Sequence, residues 1–332
     1  MKIDYEKSKL LFLRYLKKRN YSEKTLKRYS WNMRVFFEWL ECSGRSNDLR
    51  DILSDDFFEF RKYIWKAEKE GKKRFSPATV KGFLSFLFAL FSFLCRHEYI
   101  LYNPLEGIDI SLKTVKKDRA ILSQEEMIKF LDGIELKDEI KIRDRAIFEL
   151  MYGTGLRVGE VNQLDILDVD LAKGVLRVKE GKGKKERIVP MGDKLVKILK
   201  IYLNKSRKKM IRKRKGRDTE KAFFLGSKGY RRYSVSGIEK SLDRCFAESG
   251  LKKKISPHGI RHSVATHLLE NGAGIKYVKE LLGHVSIQTT VIYTHLSVSG
   301  LKKIMKQYHP RENELYHESE ELEAIVKMLQ EK

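Results

Sequence analysis

Apolar side chains recur at helical spacing through residues 1–100 and predict four helices there. The second begins near Ser22, the third runs from Ser54 to about Gly71, and the fourth begins at Ser76-Pro77, a capping residue followed by a residue favoured in the first turn. The alternation typical of a strand is absent from this part of the sequence, so we expect a small four-helix bundle. Its first two helices are defined by Leu10, Leu11, Leu13, Leu16, Leu26, Tyr29, Met33, Phe36, Phe37 and Leu40.

The helical pattern lapses over residues 101–118, which contain Asn103-Pro104 and Gly107. Because such residues favour turns and loops, we interpret this stretch as an interdomain linker. A second domain is predicted over residues 119–311. It opens with Ser-Gln-Glu-Glu at 123–126, the pattern of a capping box.

The second domain is predicted to be mostly helical. One helix extends from the capping box to about Leu131, and another covers Ile140–Tyr152. Val175–Val178 and Arg187–Pro190 flank a glycine-rich turn and predict a β-hairpin, and Ala222–Leu225 predicts a short strand. The expected fold class is therefore mainly α, with a helical bundle followed by a larger helical domain that carries a small antiparallel sheet.

Residues 312–332 form an acidic tail. It is rich in glutamate, and four of its apolar side chains fall on one face of a helix. We expect a helix that binds a partner or docks on the protein itself, and its charge argues against DNA contact. The four apolar residues are Leu322, Ile325, Val326 and Leu329.

The rest of the chain is strongly basic. The 332 residues include 69 Lys+Arg against 45 Asp+Glu, a net charge of +24. Such an excess repels itself in the folded state, and a phosphate backbone is the commonest partner that offsets it. The most basic block, 205–217, either grips DNA phosphates or is a solvated helix end and loop.

The sequence disfavours a zinc-binding protein and a secreted or membrane protein. Cys42, Cys95 and Cys245 lie far apart and without zinc-site spacing, as expected for reduced thiols in a cytosolic protein. The N-terminus lacks the apolar core and cleavage site of a signal peptide. The most apolar run, Phe83–Cys95, is shorter than the ~20 residues that span a bilayer, so we expect a buried core helix and no membrane partner.

Five separated segments hold residues suited to phosphate chemistry. They are GTGLRVGE at 153–160, EGKGKKER at 180–187, SPHGIRH at 256–262, LLGH at 281–284 and TTVIYTH at 289–295. The first lies between two helices and the second lacks the spacing of a P-loop, so neither predicts a nucleotide site. In the third, the i, i+3 spacing places His258 and Arg261 on one helical face.

In this order and at these spacings, the five segments resemble the tyrosine recombinase (phage integrase) family, most closely its Xer-like bacterial branch. The resemblance covers roughly residues 120–310. Residues 1–100 are similar to the family's N-terminal SAM-like core-binding domain, with YSEKTLKRY as its characteristic opening. The resemblance implies that residues 119–311 are a catalytic domain.

The resemblance implies a nucleophile, Tyr293, in a cationic pocket. Guanidiniums bind the non-bridging phosphate oxygens with fork geometry, which suits Arg157 and Arg261. A tyrosine hydroxyl titrates near pH ~10, so nearby cations must favour its phenolate. Lys182 would protonate the leaving sugar oxygen, with Lys184 and Lys185 as rivals, and Glu160 would support the arginines. The implied catalytic set is Arg157, Lys182, His258, Arg261, His284 and Tyr293.

Several assignments accompany this set. His262 is expected to have a structural role, and Tyr277 and Tyr308 are rival nucleophiles that lack the family's spacing from His284. Because a phosphotyrosine ester keeps the bond energy, we expect no cofactor, and the histidines lack the companions of a zinc site. The expected DNA-binding residues are Lys184, Lys185, Arg187, Lys24, Lys27 and Lys81.

The resemblance also implies partners and a reaction. Tyr293 would join a 3′ phosphate, and the exchange would pass through a Holliday junction, with four protomers on two copies of a specific double-stranded DNA site. A protein activator or a sister recombinase would be compatible with this scheme, and the location would be the cytoplasm, at the nucleoid. Chromosome-dimer resolution and mobile-element integration both fit. Two alternatives remain: a relaxase like the type IB topoisomerases, and a catalytically silent DNA-binding protein.

Overall fold

The computed structural model describes residues 2–69, 72–108, 121–179, 186–213, 220–283 and 298–312. The chain divides into two compact units, Met1–Lys117 and Asp118–Lys332. Both are mostly helical, so the predicted mainly α class is confirmed.

The first unit contains the four predicted helices. They are α1 (Tyr5–Lys18), α2 (Glu23–Cys42), α3 (Ser54–Lys66) and α4 (Pro77–Arg96). Ser22 and Ser76 cap α2 and α4, since each side chain accepts a hydrogen bond from the backbone three residues on. Capping residues in the sequence therefore located two helix starts correctly.

The prediction for the end of α3 was wrong. The helix stops at Lys66, and a two-stranded antiparallel hairpin follows, with β1 (Glu68–Lys69) paired to β2 (Lys72–Lys73). The segment beyond Lys66 is charged and carries no apolar stripe, so helix there would bury no apolar surface. The expectation that this region lacks strands is corrected by the same hairpin.

The helix α4 is the centre of the first core. It is long and apolar enough, by length and composition alone, to cross a membrane. Nine of its side chains are instead buried against the other helices, so it is a core helix, as the sequence analysis predicted. These residues are Val80, Phe83, Leu84, Phe86, Leu87, Leu90, Phe91, Phe93 and Leu94.

The second unit surrounds the buried helix α6 (Glu139–Thr154). The predicted capping box is present at the start of α5 (Gln124–Asp132), where the Ser123 and Glu126 side chains each accept a hydrogen bond from the other residue's backbone. The other helices are α7 (Val158–Gln163), α8 (Asp193–Ile201), α9 (Lys208–Lys213), α10 (Val235–Ser249), α11 (Pro257–Glu270), α12 (Ile275–Leu282) and α13 (Val298–Tyr308).

The sheet contains one strand that was not predicted. The hairpin of β4 (Val175–Val178) and β5 (Arg187–Pro190) forms as expected, with Leu176 opposite Val189. A short strand, β3 (Val169–Asp170), pairs with β4 on its other side. The strand predicted at Ala222–Leu225 is wrong, because this segment makes only isolated bridges at its two ends.

Part of the basic block 205–217 is structural. A π-helical turn, Tyr202–Arg207, joins α8 to α9, and Arg207 is buried with its guanidinium on the backbone carbonyls of Glu220 and Ala222. Lys209 and Lys213 both bind the carboxylate of Glu139. Neither of the two interpretations offered for the block fits Arg207, because the side chain faces inward.

The segment after α13 is anchored by buried polar groups. The Arg311 guanidinium donates to the carboxylates of Asp132 and Glu149. His309 is fully buried; its Nδ1 accepts from the backbone N–H of Arg311, so Nε2 carries the proton and donates to the Tyr152 carbonyl. Both ring nitrogens are therefore satisfied in the neutral form.

This arrangement predicts a pH-dependent loss of stability. Burial lowers the pKa of His309 from 6.5 to about 4, so the unfolded chain binds a proton that the folded chain excludes. Stability from this residue is complete above pH 6.5 and is lost as the pH falls towards 4, by about 3 kcal/mol at most. Urea unfolding of the second unit should show a shallower loss over this range in His309→Gln. The exposed-residue variant His262→Gln should keep the full loss, and equal slopes in all three proteins would contradict the prediction.

Candidate active site

Arg157 and Glu160 lie together at the start of α7. Arg157 is the N-cap, and the Glu160 carboxylate accepts from its backbone N–H at 2.7 Å and from its guanidinium at 3.1 Å. The Arg157 side chain is 42% exposed, whereas Glu160 is 13% exposed. The Arg157 side chain is thus held by a nearly buried carboxylate while much of it stays exposed to solvent, where a phosphate could approach.

The same carboxylate binds a second arginine. Arg187, the first residue of β5, donates from both terminal nitrogens to Glu160, at 3.0 and 3.1 Å. Burial pushes the pKa of Glu160 upward, but the hydrogen bonds from Arg187 and from the Arg157 backbone outweigh it, so the pKa is lowered. Glu160 is therefore ionised and serves two guanidiniums.

Arg261 joins three of the motif segments. It lies in the first turns of α11, is only 3% exposed, and donates to the Gly155 carbonyl at 2.6 Å and to the carbonyl of Leu282. Gly155 ends α6 just before Arg157, and Leu282 ends α12 just before Gly283 and His284. Burial, and then the charge of Arg157, lower the pKa of Arg261 to about 10, which still leaves it a cation at neutral pH.

The turn that receives Arg261 requires glycine. Gly155 has φ +64°, and a Cβ there would lie 2.3 Å from a methyl carbon of Leu282. The two helix ends can therefore approach each other only with glycine at this position. This contact explains the second glycine of GTGLR by close packing and gives no indication of a nucleotide site.

The two motif histidines of α11 are exposed. Ser256 caps this helix and Pro257 is its first residue, so His258 lies in the first turn, one turn before Arg261. His262 is also exposed, and the structural role expected for it is not seen in the packing. A histidine that the sequence analysis did not single out, His267, is buried instead, between the Tyr152 hydroxyl at 2.8 Å and the Leu122 carbonyl at 2.9 Å.

Several predicted site residues lie outside the described part of the chain. They are Lys182, Lys184, Lys185, His284 and Tyr293. Of the rival nucleophiles, Tyr277 is buried in the core, its hydroxyl donates to the Leu301 carbonyl, and burial raises its pKa. Tyr308 is half-buried and packs beside the core of the second unit. Burial makes Tyr277 a poor nucleophile for DNA.

The lysines predicted to contact DNA in the first unit are all exposed. Lys24 and Lys27 lie near the start of α2, and Lys81 lies near the start of α4. The two helices are in contact, with the Asn32 side chain donating to the backbone of Gly82. The ammonium groups of these three lysines are therefore available to contact DNA phosphates.

Comparison with known proteins decides the family. Residues 120–299 match the phage integrase family, and residues 10–98 match the phage integrase N-terminal SAM-like domain. The chain is 35% identical over 304 residues to tyrosine recombinase XerD of Oceanobacillus iheyensis, which covers 90% of this chain and 97% of that protein. The chain belongs to the tyrosine recombinases of the phage integrase family.

Other tyrosine recombinases agree with this assignment. Tyrosine recombinase XerC of Halalkalibacterium halodurans is 34% identical over 301 residues, 90% of this chain and 96% of that one. The crystal structure of XerH site-specific recombinase bound to difH substrate, a pre-cleavage complex, has a TM-score of 0.59 at 27% identity, covering 87% of this chain and 80% of that chain. The predicted resemblance is confirmed, and this tyrosine recombinase is an enzyme that cleaves and rejoins DNA strands in site-specific recombination. The relaxase and the silent DNA-binding protein are not favoured.

Proposed function

We propose that this recombinase cuts DNA with Tyr293, and that Arg157 and Arg261 bind the non-bridging oxygens of the attacked phosphate. The observation that carries the proposal is the position of Arg261, whose two backbone contacts bring the segments that hold Arg157 and His284 to one place. A guanidinium has five N–H donors, and these two contacts occupy one on each terminal nitrogen, which leaves donors for a phosphate.

The proposed step transfers a phosphoryl group without a cofactor. The Tyr293 oxygen attacks phosphorus as its proton passes to a site histidine or to water, and the bond from phosphorus to the 5′ oxygen breaks. Lys182 gives a proton to that oxygen, while His258 and His284 bind the phosphate or assist the proton transfers. The resulting 3′-phosphotyrosine keeps the energy of the broken ester, so a 5′ hydroxyl from a second duplex can reverse the reaction and exchange the strands.

The proposed assembly is the one that membership of the family implies. Residues 1–100 and 119–311 would bind one duplex site, joined by the linker 101–118, and four protomers would hold two sites through a Holliday junction. The acidic tail 312–332 would contact protein rather than DNA, and an activator or sister recombinase remains a candidate partner. Because the relatives are named XerC and XerD, we assign chromosome-dimer resolution, in the cytoplasm at the nucleoid, ahead of mobile-element integration.

Two labelled duplexes test the proposed function. Each should carry the site recovered by mapping covalent adducts of this protein on genomic DNA. Recombinants that combine both labels are expected, and relaxation of supercoiled DNA without recombinants would overturn the proposal in favour of a relaxase. Adducts at one chromosomal site would support dimer resolution, and adducts confined to a mobile element would overturn that role.

The exposed lysines should set the salt dependence of binding. Affinity is expected to fall steeply as salt rises, because each phosphate contact releases counterions. Lys81→Gln should reduce the slope of log affinity against log salt by about 1 and weaken binding similarly on all sequences. Lys213→Gln removes the same charge from a lysine bound to Glu139 and should leave the slope unchanged. Equal slopes for Lys81→Gln and the unaltered protein would contradict the assignment of Lys81.

A further inference from the structure

Arg187 is predicted from the sequence to bind DNA, but its side chain faces the protein. It is 14% exposed, and its two terminal nitrogens both donate to the Glu160 carboxylate. A paired fork of this kind fixes the plane of both groups. Arg187 is the first residue of β5, the strand that follows the glycine-rich turn. It therefore ties this strand to the first turn of α7.

Arg187 also packs against the turn before His284. Gly283 ends α12 with φ +60°, and a Cβ there would lie 3.2 Å from the central carbon of the Arg187 guanidinium. A side chain at position 283 would have to displace the guanidinium or move the turn. One side chain thus contacts two of the motif segments, GTGLRVGE and LLGH, while belonging to a third.

We propose that Arg187 is a positioning residue for phosphoryl transfer, which holds Glu160 and, through Glu160, the guanidinium of Arg157. The inference rests on the proposed function, since it assumes that Arg157 binds the reacting phosphate. Glu160 contacts Arg157 at both the backbone and the side chain, so any rotation of the carboxylate moves that arginine. Arg187 donates to both oxygens of the same carboxylate and so fixes its orientation.

The charges of the three neighbouring arginines support this role for Arg187. Arg157, Arg187 and Arg261 are near enough that the first and second both lower the pKa of the third, while Glu160 raises it. Three clustered cations repel one another, and a shared carboxylate offsets part of that repulsion. A lysine at position 187 would keep the charge but lose the two-point contact, so it should position Glu160 poorly.

The test compares Arg187→Gln and Arg187→Lys with the unaltered protein in single-turnover cleavage of a nicked suicide substrate. Both variants should bind the substrate with unchanged affinity and cleave about 100-fold more slowly, the loss expected when a reacting group is misplaced by about 1 Å. Arg177→Gln is the matched control. It removes an arginine from the neighbouring strand β4, where Arg177 binds Asp168, and should cleave normally.

A second substrate distinguishes whether Arg187 positions Arg157 or Lys182. In it, sulfur replaces the 5′ leaving oxygen, and a thiolate leaves without needing a proton because thiols titrate near pH ~8.5. The loss in Arg187→Gln should be as large on this substrate as on the ordinary one. Recovery to the normal rate would mean that Arg187 acts on the proton donor, and would overturn the proposal.

A double-mutant cycle gives the deciding readout. In a Glu160→Gln background, Arg187→Gln should slow cleavage by less than about 3-fold, since the carboxylate that it positions is gone. Independent losses that multiply, or weaker DNA binding with a normal cleavage rate, would overturn the proposal. If the unaltered protein formed no adduct, the proposed function would fail first, so the two failures are distinguishable.

Discussion

Arg261→Lys is expected to cleave DNA about 1,000-fold more slowly than the unaltered protein, because removing one preorganised donor from a developing oxyanion costs 10²–10³ in rate. Arg261 is held by two carbonyls that fix the direction of its fork. A lysine has no fork, and its ammonium cannot reach both carbonyls and the phosphate together. Single-turnover cleavage of a suicide substrate measures the loss.

Stability must be separated from chemistry in this experiment, since Arg261 is buried between two helix ends. DNA affinity and the unfolding midpoint should therefore be measured for the same variant. Arg244→Lys is the control, because Arg244 is half exposed on α10 and binds Asp144 away from these motifs. A variant at position 261 that folds, binds and cleaves within about 3-fold of normal would show that Arg261 does not bind the reacting phosphate.

Tyr293→Phe is expected to bind DNA normally and to form no covalent adduct. The change removes one oxygen, so the ring and the protein charge are retained while the nucleophile is lost. Tyr277→Phe and Tyr308→Phe should both form the adduct, since Tyr277 is buried and Tyr308 is half-buried. A covalent adduct in Tyr293→Phe would assign the nucleophile to another residue.

Local signals in the sequence located several helix starts. Ser22, Ser76 and the capping box at Ser123 each mark a helix start in the structure, because a capping side chain acts on backbone only two or three residues away. The alternating segments around the glycine-rich turn likewise predicted the hairpin of β4 and β5. These features depend on neighbours in sequence.

Two kinds of feature were missed. The strands β1, β2 and β3 are each two residues long, too short to show an alternating pattern, although each pairs with a strand only a few residues away. The Arg207 side chain in the basic block points inward because its guanidinium donates to the carbonyls of Glu220 and Ala222. A run of charged residues is normally interpreted as exposed to solvent, because the sequence does not show which of the side chains have buried hydrogen-bond acceptors.

In the candidate site, contacts between near neighbours in the sequence were predicted, and a contact between distant positions was not. The motif pattern predicted Arg157, Glu160 and Arg261, and the structure brings Glu160 to Arg157. Arg187 was predicted to bind DNA together with Lys184 and Lys185, and its pairing with Glu160 could be found only from the fold. The i, i+3 relation of Glu160 to Arg157 was visible in the sequence, whereas a contact across 27 positions was not.

The residue that becomes attached to DNA is the most direct measure of this account. The unaltered protein should be trapped on a nicked suicide substrate, digested with protease and nuclease, and the modified peptide identified by mass spectrometry. We predict a single nucleotide-bearing peptide with the phosphate on Tyr293. A phosphate on Tyr277, Tyr308 or any other residue would contradict the account.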